Sequence, residues 1–563
     1  INNQGGKIVT NRFNTTLYLN LHLATGLVME NRFNYQTNMV ERNSFQRPFD
    51  RWNFLLDQAF TQANTVDQLG VNYSFAKDYR IISDVILKYN TKIKSDHDFG
   101  LLAGFNQNYF NYYDFRTQKQ GLIDPNLTTL SSANLILSSE GTETDNAIQS
   151  FFGRLNYSYQ GKYIFEANLR YDGSSRFAPN VRWGAFPSFS AGWRLSEEGF
   201  MQGIKRTVQN LKLRASWGQL GNNQVGDYDW QSNYASTGYS FNRAQTNALR
   251  QARLGNPALR WEKTTIADIG LEGNLFHNRV KFEIDWYDKS TDGILTVPPI
   301  FLTMGTVGAP FTNTAAVRNR GIEVMAGWTS NPTKDFRFGV SGNFAYNMNV
   351  VEKYKGPLQE GYVSDENGNK VWRSNIGDVS DGVNQRIIEG QPINAHYVFK
   401  LHRGSGAYFN ADGTVNPKGG PSSGMIRTPE DLQWLQAMLA AGYNFLPTNR
   451  IGQQQITYGD FIYADLNEDG IFGNNFDRTF MGGNEVPRFN FGLNLNASWK
   501  GFDISMIWAG SSGMNYFWNQ RIYNTTNLRG GMSISERVAN NRYFFNAADP
   551  NDARNNINGT FPR

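Results

Sequence analysis

The stretch Lys162-Tyr163-Ile164-Phe165-Glu166-Ala167-Asn168-Leu169-Arg170-Tyr171 decides how this chain is read. Side chains of a strand alternate between its two faces. Tyr163, Phe165, Ala167, Leu169 and Tyr171 therefore share one face, while Ile164, Glu166, Asn168 and Arg170 share the other. The same period returns at Phe189/Ala191/Trp193/Leu195, Leu211/Leu213/Ala215/Trp217, Val280/Phe282/Ile284/Trp286, Phe336/Phe338/Val340/Phe344, Phe489/Phe491/Leu493/Leu495 and Phe502/Ile504/Met506/Trp508. Charge gathers on the opposite face, at Arg170, Arg194, Lys212, Arg214, Asp268, Glu272, Lys281, Glu283, Asp285, Arg337 and Asp503. A soluble sandwich turns its polar face to water and its apolar face to a dry core. A transmembrane barrel turns apolar residues out to lipid and charge in to a wet lumen.

The connections favour the barrel. Working outward from 162–172, the pattern predicts strands at 98–112, 147–159, 187–197, 210–218, 263–275, 279–290, 318–330, 335–348, 487–499 and 502–510. Short links at Gln160-Gly161, Phe276–Asn278, Asn331–Lys334 and Lys500-Gly501, with a moderate one at 198–209, rotate with long ones at 113–146, 173–186, 219–262, 291–317 and 349–486. All short turns then fall at one end of the array and all long loops at the other, as in outer-membrane barrels with extracellular loops. Trp217, Trp286, Trp328, Trp499 and Trp508 fall near predicted strand ends, where an interfacial belt needs them. The first hundred residues show alternating runs near 8–30 and 67–93, with a tight turn expected at Lys77-Asp78 and a loop parity that the pattern leaves open.

Composition agrees. The 563 residues contain no run apolar enough for a transmembrane helix, but a barrel strand meets lipid only at every second residue. With no cysteine, there is no disulfide framework, cysteine zinc site or thiol nucleophile. The five histidines have no metal-ligand spacing, and a net charge of +5 without a basic run argues against a nucleic-acid partner. A start at Ile1 suggests a matured or truncated end. Neither His-Glu-x-x-His nor a phosphate-binding Gly loop is present, so no enzyme is expected.

The 349–486 connection is too long for a bare loop. Thr428-Pro429-Glu430-Asp431 supplies an N-cap, a first-turn proline and two acids at the positive end of a short helix. Leu432, Leu435 and Met438/Leu439 would form its apolar stripe. Asp465-Leu466-Asn467-Glu468-Asp469-Gly470-Ile471 has the first half of an EF-hand-type loop: oxygens at positions 1, 3 and 5, Gly at 6, and a carbonyl offered at 7. Position 12 is Phe476, and the nearest carboxylate is Asp477. The expected ligands of a structural Ca2+ are Asp465, Asn467, Asp469, the Ile471 carbonyl and Asp477. The competing reading is an Asx-rich turn closed by its own backbone.

A set of collinear blocks resembles the SusC/RagA family of TonB-dependent outer-membrane transporters of Bacteroidota. The blocks are Arg154-Leu155-Asn156-Tyr157, Leu169-Arg170-Tyr171-Asp172-Gly173-Ser174-Ser175-Arg176-Phe177, Arg182-Trp183-Gly184, Leu211-Lys212-Leu213-Arg214-Ala215-Ser216-Trp217-Gly218, Leu259-Arg260-Trp261-Glu262, Asn319-Arg320-Gly321-Ile322-Glu323, Tyr463-Ala464-Asp465 and Asp477-Arg478-Thr479. The resemblance implies an all-β antiparallel barrel of roughly 22 strands with a plugged lumen, multi-pass in the outer membrane. It also implies a SusD-like surface lipoprotein as partner, energy from TonB through a segment outside this chain, and oligosaccharides or peptides as cargo. Outer-membrane lipid and lipopolysaccharide would surround it. Residues 1–563 are expected to be barrel, without an evident plug or closing strands, and 349–486 the long extracellular region. Arg170, Arg194, Arg214, Glu283 and Arg337 should face the lumen. The alternative is a non-transporting barrel that acts as a scaffold or adhesin. Loop aromatics Tyr228, Trp230, Tyr234, Tyr239, Phe241, Trp372 and Tyr408 fit stacking on sugars and packing within the loops equally well.

Overall fold

A computed structural model describes residues 4–46, 51–53, 56–60, 69–124, 126–298, 302–305, 307–330, 335–446, 456–516, 535–546 and 548–562. It divides into two compact units, Ile1–Thr314 with Val324–Arg337, and Ala315–Glu323 with Phe338–Arg563.

The first unit is built on ten long strands. They are β1 (Gln4–Ala24), β2 (Leu27–Gln46), β3 (Gly70–Ile93), β4 (His97–Leu122), β5 (Ala133–Tyr159), β6 (Tyr163–Ser174), β7 (Trp183–Arg194), β8 (Val208–Asn222), β9 (Glu262–Leu275) and β10 (Val280–Thr296). Each pairs antiparallel with the next. Strands β11 (Thr312–Thr329) and β12 (Phe336–Lys353) carry residues of both units. In the second unit, β13 (Phe489–Trp499) and β14 (Phe502–Ser512) form an antiparallel hairpin. All eleven strands expected after residue 98 are present.

Register keeps the two faces of the sheet separate. Tyr157, Phe165, Ala191, Ala215, Ile269 and Trp286 stand in one cross-strand row from β5 to β10. Arg32, Asp84, Asn106, Ser150 and Asp172 form a polar row across β2–β6 on the opposite face. A slip of one residue would exchange these faces, so the alternation itself fixes the register. Two aromatic groups bracket the apolar stretch of β6. Tyr159, Tyr163 and Trp193 stack at centroid spacings of 6.3 and 6.5 Å. Phe151, Trp183 and Tyr171 stack at 6.2 and 4.9 Å. From Tyr163 to Tyr171 the strand runs for about nine residues, the length of a tilted membrane crossing.

Two expectations need correction. Lys77-Asp78 is no turn; it lies inside β3, where Asn38 Nδ2 donates to Asp78 Oδ2 at 3.1 Å and so satisfies the polar pair within the sheet. Residues 113–146 are mostly strand, with only 123–132 left as the connection. Their polar sequence weakens the alternation, but Arg116–Glu140 at 3.1 Å and Thr117–Ser139 at 3.2 Å hold the pairing. The structure also settles the parity that the sequence leaves open before residue 98. Short turns at Thr25-Gly26 and Lys94–Asp96 alternate with a longer connection at 47–69, so the rotation runs through from residue 4. Trp217 and Trp286 lie inside strands that are longer than expected, while Trp499 does stand at a strand end. The turn at 331–334 falls outside the described residues.

The conventional cores lie in the connections. Phe177, Phe186, Val225, Leu259 and Trp261 form one, with Trp261 Nε1 donating to the Arg182 carbonyl at 2.7 Å. Another lies between β12 and β13, around the helix Pro429–Ala440: Ile426, Trp434, Leu435, Met438, Phe445, Ile462 and Phe472. Thr428 caps this helix, and Asp431 completes a capping box. The buried stripe differs from the expected one: Trp434 is fully enclosed, whereas Leu439 is exposed.

Candidate functional site

The polar face of β8–β10 carries the densest charge among the expected lumen residues. Gly192, Arg214, Gly270 and Asp285 occupy one cross-strand row. Gly270 matters because a Cβ there would lie 2.1 Å from Asp285 Oδ1 and 2.6 Å from Arg214 Nε. Its bare backbone lets the Arg214 guanidinium reach over β9 to both Asp285 oxygens, at 2.6 and 2.7 Å. The same nitrogen also hydrogen-bonds Glu283. In the adjoining row, Lys212 Nζ lies 3.3 Å from Glu272, which is 3.7 Å from Arg214. These groups stay partly open to water, so each pair contributes at most about 1 kcal/mol. Their chemistry is a fixed array of donors and acceptors that can exchange partners with a polar solute.

Arg170 and Arg194 lie on the same sheet face; Arg170 stands away from this cluster, while Arg194 borders it. Arg170 Nε donates to Asp172 at 2.8 Å, its NH2 donates to Ser150 Oγ at 2.8 Å, and its guanidinium lies over the Phe152 ring. Arg194 is paired in register with Lys212. Arg337 is exposed on β12, alternating with Phe336 and Phe338. The structure thus brings Arg214 and Glu283 together, sets Arg194 in the row of Lys212, Glu272 and Glu283, and leaves Arg170 and Arg337 apart. Arg32, Asp84 and Asp172 were missed. Each is one polar residue among several in its strand, and only register aligns them into a row.

The 465–477 loop folds tightly around its own carboxylates. Asp469 N–H donates to Asp465 Oδ1 at 3.2 Å, and Gly470 N–H to Asp465 Oδ2 at 2.9 Å. Ile471 N–H donates to Asp469 Oδ1 at 2.8 Å. Glycine is needed at 470, where φ is +83°. Asp477 is fully buried and accepts from the N–H groups of Leu466, Gly473 and Asn474 at 2.6, 2.8 and 3.0 Å. Burial pushes the carboxyls of Asp465 and Asp477 up from their ordinary value. Among the described residues, no group of three or more His, Cys, Asp or Glu side chains is arranged to hold a metal. The five expected ligands share one loop, yet Asp477 is committed to closing it.

The loop aromatics divide. Trp372 packs edge-on against Tyr362, and Tyr408 packs on the helix core and donates to Asp431 at 2.8 Å. The Tyr228 hydroxyl is bonded to Asp145, and Trp230 is half-buried. Tyr234, Tyr239 and Phe241 are exposed on the hairpin Asn233–Phe241/Ala244–Arg253.

Two-faced strands, apolar side chains turned outward and charge collected on the reverse face define the wall of an outer-membrane barrel. The model of the TonB dependent receptor-like β-barrel family matches residues 2–446, and the chain belongs to that family. It is therefore an outer-membrane protein. The TonB-dependent receptor P39 of Formosa agariphila is 28% identical over 532 residues, covering 91% of this chain and 45% of that protein. The TonB-dependent receptor SusC of Bacteroides thetaiotaomicron is 28% identical over 462 residues, covering 78% of this chain and 42% of its own length. The RagAB peptide transporter structure superposes with a TM-score of 0.68 at 19% identity, covering 90% of this chain and 48% of that one. The chain spans less than half the length of these relatives, and the SusC/RagA resemblance agrees with them.

Proposed function

We propose that this chain is part of the barrel wall of an active importer in the outer membrane. In this reading it works with a SusD-like surface lipoprotein, is energised through TonB, and passes oligosaccharides or peptides. The carrying observation is the face segregation of the first unit's ten sheet strands. The row Tyr157–Phe165–Ala191–Ala215–Ile269–Trp286 suits lipid, while the rows through Asp84 and Arg214 suit a wet passage. The exposed Tyr234, Tyr239 and Phe241 offer stacking surface to a sugar or an apolar peptide side chain. No bond-making chemistry is assigned.

Uptake of labelled oligosaccharides and labelled peptides by cells carrying the intact gene, against a deletion strain, tests the reading. Uptake of one class is expected, abolished both by the deletion and by removal of TonB. Surface binding that persists with no TonB-dependent uptake of either class would favour the scaffold or adhesin.

A further inference from the structure

The acids of the 465–477 loop leave an electrostatic question open. Lys418 pairs with Glu468 at 3.1 Å. Among the described residues, no cation pairs with Asp465, Asp469 or Asp477. Like charges so close raise one another's cost of ionisation, which compounds the cost of burial.

A second observation points into the same cluster. Asn467 is 4% exposed, and its Oδ1 is buried without a hydrogen-bond partner. Its Nδ2 donates to Asp469 Oδ2 at 2.9 Å, so the amide plane stands against that carboxylate. Flipping the amide would set oxygen against oxygen, so the assignment is fixed by charge. A buried acceptor beside carboxylates, with no donor to satisfy it, is the environment that a cation completes.

We propose that this loop binds Ca2+ through the Asp465 and Asp469 carboxylates, Asn467 Oδ1 and the Ile471 carbonyl, with water filling the remaining positions. Each Asp465 oxygen accepts one N–H, as does Asp469 Oδ1, so each keeps a lone pair for the ion. Asp477 stays outside the shell, because it spends its oxygens on three N–H groups and so holds the loop's ends together. The shell thus uses two carboxylates rather than three. All-oxygen ligation on a flexible loop suits Ca2+ better than Mg2+, which demands a stricter octahedron. The Tyr362 hydroxyl donates to the Asn467 carbonyl at 2.6 Å, tying the site to the hairpin 360–374. The ion's role is structural, and it does not depend on what the barrel carries.

The test uses the intact chain in detergent, stripped with chelator and titrated with Tb3+. Tyr362 stands close enough to sensitise its emission. Saturable emission is expected, displaced by Ca2+ at concentrations where Mg2+ has no effect. It should be lost in Asp465→Asn and Asp469→Asn. Asn467→Asp, which adds a charge to the shell, should bind tighter. Asp477→Asn should weaken binding by about 10–100-fold, as outer-shell changes do. Absence of saturable emission in the unaltered protein, or emission that survives in both Asp465→Asn and Asp469→Asn, overturns the proposal. So does unchanged affinity in Asn467→Asp.

Discussion

The ten sheet strands of the first unit and the region between β12 and β13 treat the same residue types in opposite ways. In the sheet, Leu169 is 54% exposed and Phe151 52%. In the other region, Trp434 and Met438 are at 0%. Burial from water drives apolar packing in a soluble core, whereas a barrel exchanges its apolar face with lipid and needs no protein cover. One chain therefore follows two sets of rules, and the change comes where two-residue alternation gives way to a capped helix and short strand pairs. Truncating a side chain in one region and inserting charge in the other should have separable consequences.

The largest effect is expected from Trp434→Ala. The indole is enclosed by Phe445 and stacked on His402, and its Nε1 donates to the Asn416 carbonyl at 2.9 Å. Its loss should cost the region roughly 3–5 kcal/mol. Hydrogen exchange should rise over 400–480, while the barrel keeps its heat-modifiable migration in gels. Loss of barrel migration would mean that the two regions do not fold under separate rules.

Ala167→Arg probes the other region. Ala167 sits between the two aromatic groups on the apolar face of β6, so a charge there should cost about 2–4 kcal/mol. Asn168→Arg, one residue on and facing the polar side, should fold as the parent does. Equal denaturant midpoints for the two variants would break the assignment of faces.

Much of this division was legible from alternation, because a two-faced strand writes its burial directly into the sequence. Strand existence and face were therefore readable at Tyr163–Tyr171 and Leu211–Trp217. Strand length was not. Beyond Phe115, β4 reads Arg116-Thr117-Gln118-Lys119-Gln120, with no apolar residue to mark either face. The helix start at Thr428 was legible from its cap, but Trp434 was not, because the short partner strands Asn444–Phe445 and Ile471–Phe472 enclose it from a distance in sequence. The site was legible only in part. Arg214 and Glu283 read as charged strand residues, but their meeting depends on Gly270, whose role is visible only in register. Likewise, the spacing of Asp465, Asn467 and Asp469 suggests a cation. Only the fold shows that Asp477 is spent on the backbone and that Asn467 Oδ1 is not.

The smallest expected effect is one of pH, and it sharpens the reading of the loop. Burial raises the carboxyls of Asp465 and Asp477, so the folded region holds their protons more tightly than the unfolded chain does. Without a cation, this contribution to stability falls as pH rises through the raised values. It is most favourable at or below the unfolded carboxylate value of about 3.9. Bound Ca2+ reverses the sign, because it requires ionised carboxylates and competes with the proton. The gap in stability between calcium and chelator should therefore widen as pH is raised from the ordinary carboxylate range towards neutrality. Hydrogen exchange of 460–480, followed at several pH values in both conditions and corrected for intrinsic exchange, measures it. Parallel pH dependences in calcium and in chelator would show that Asp465 senses no cation, leaving the loop as a turn closed by its own N–H groups.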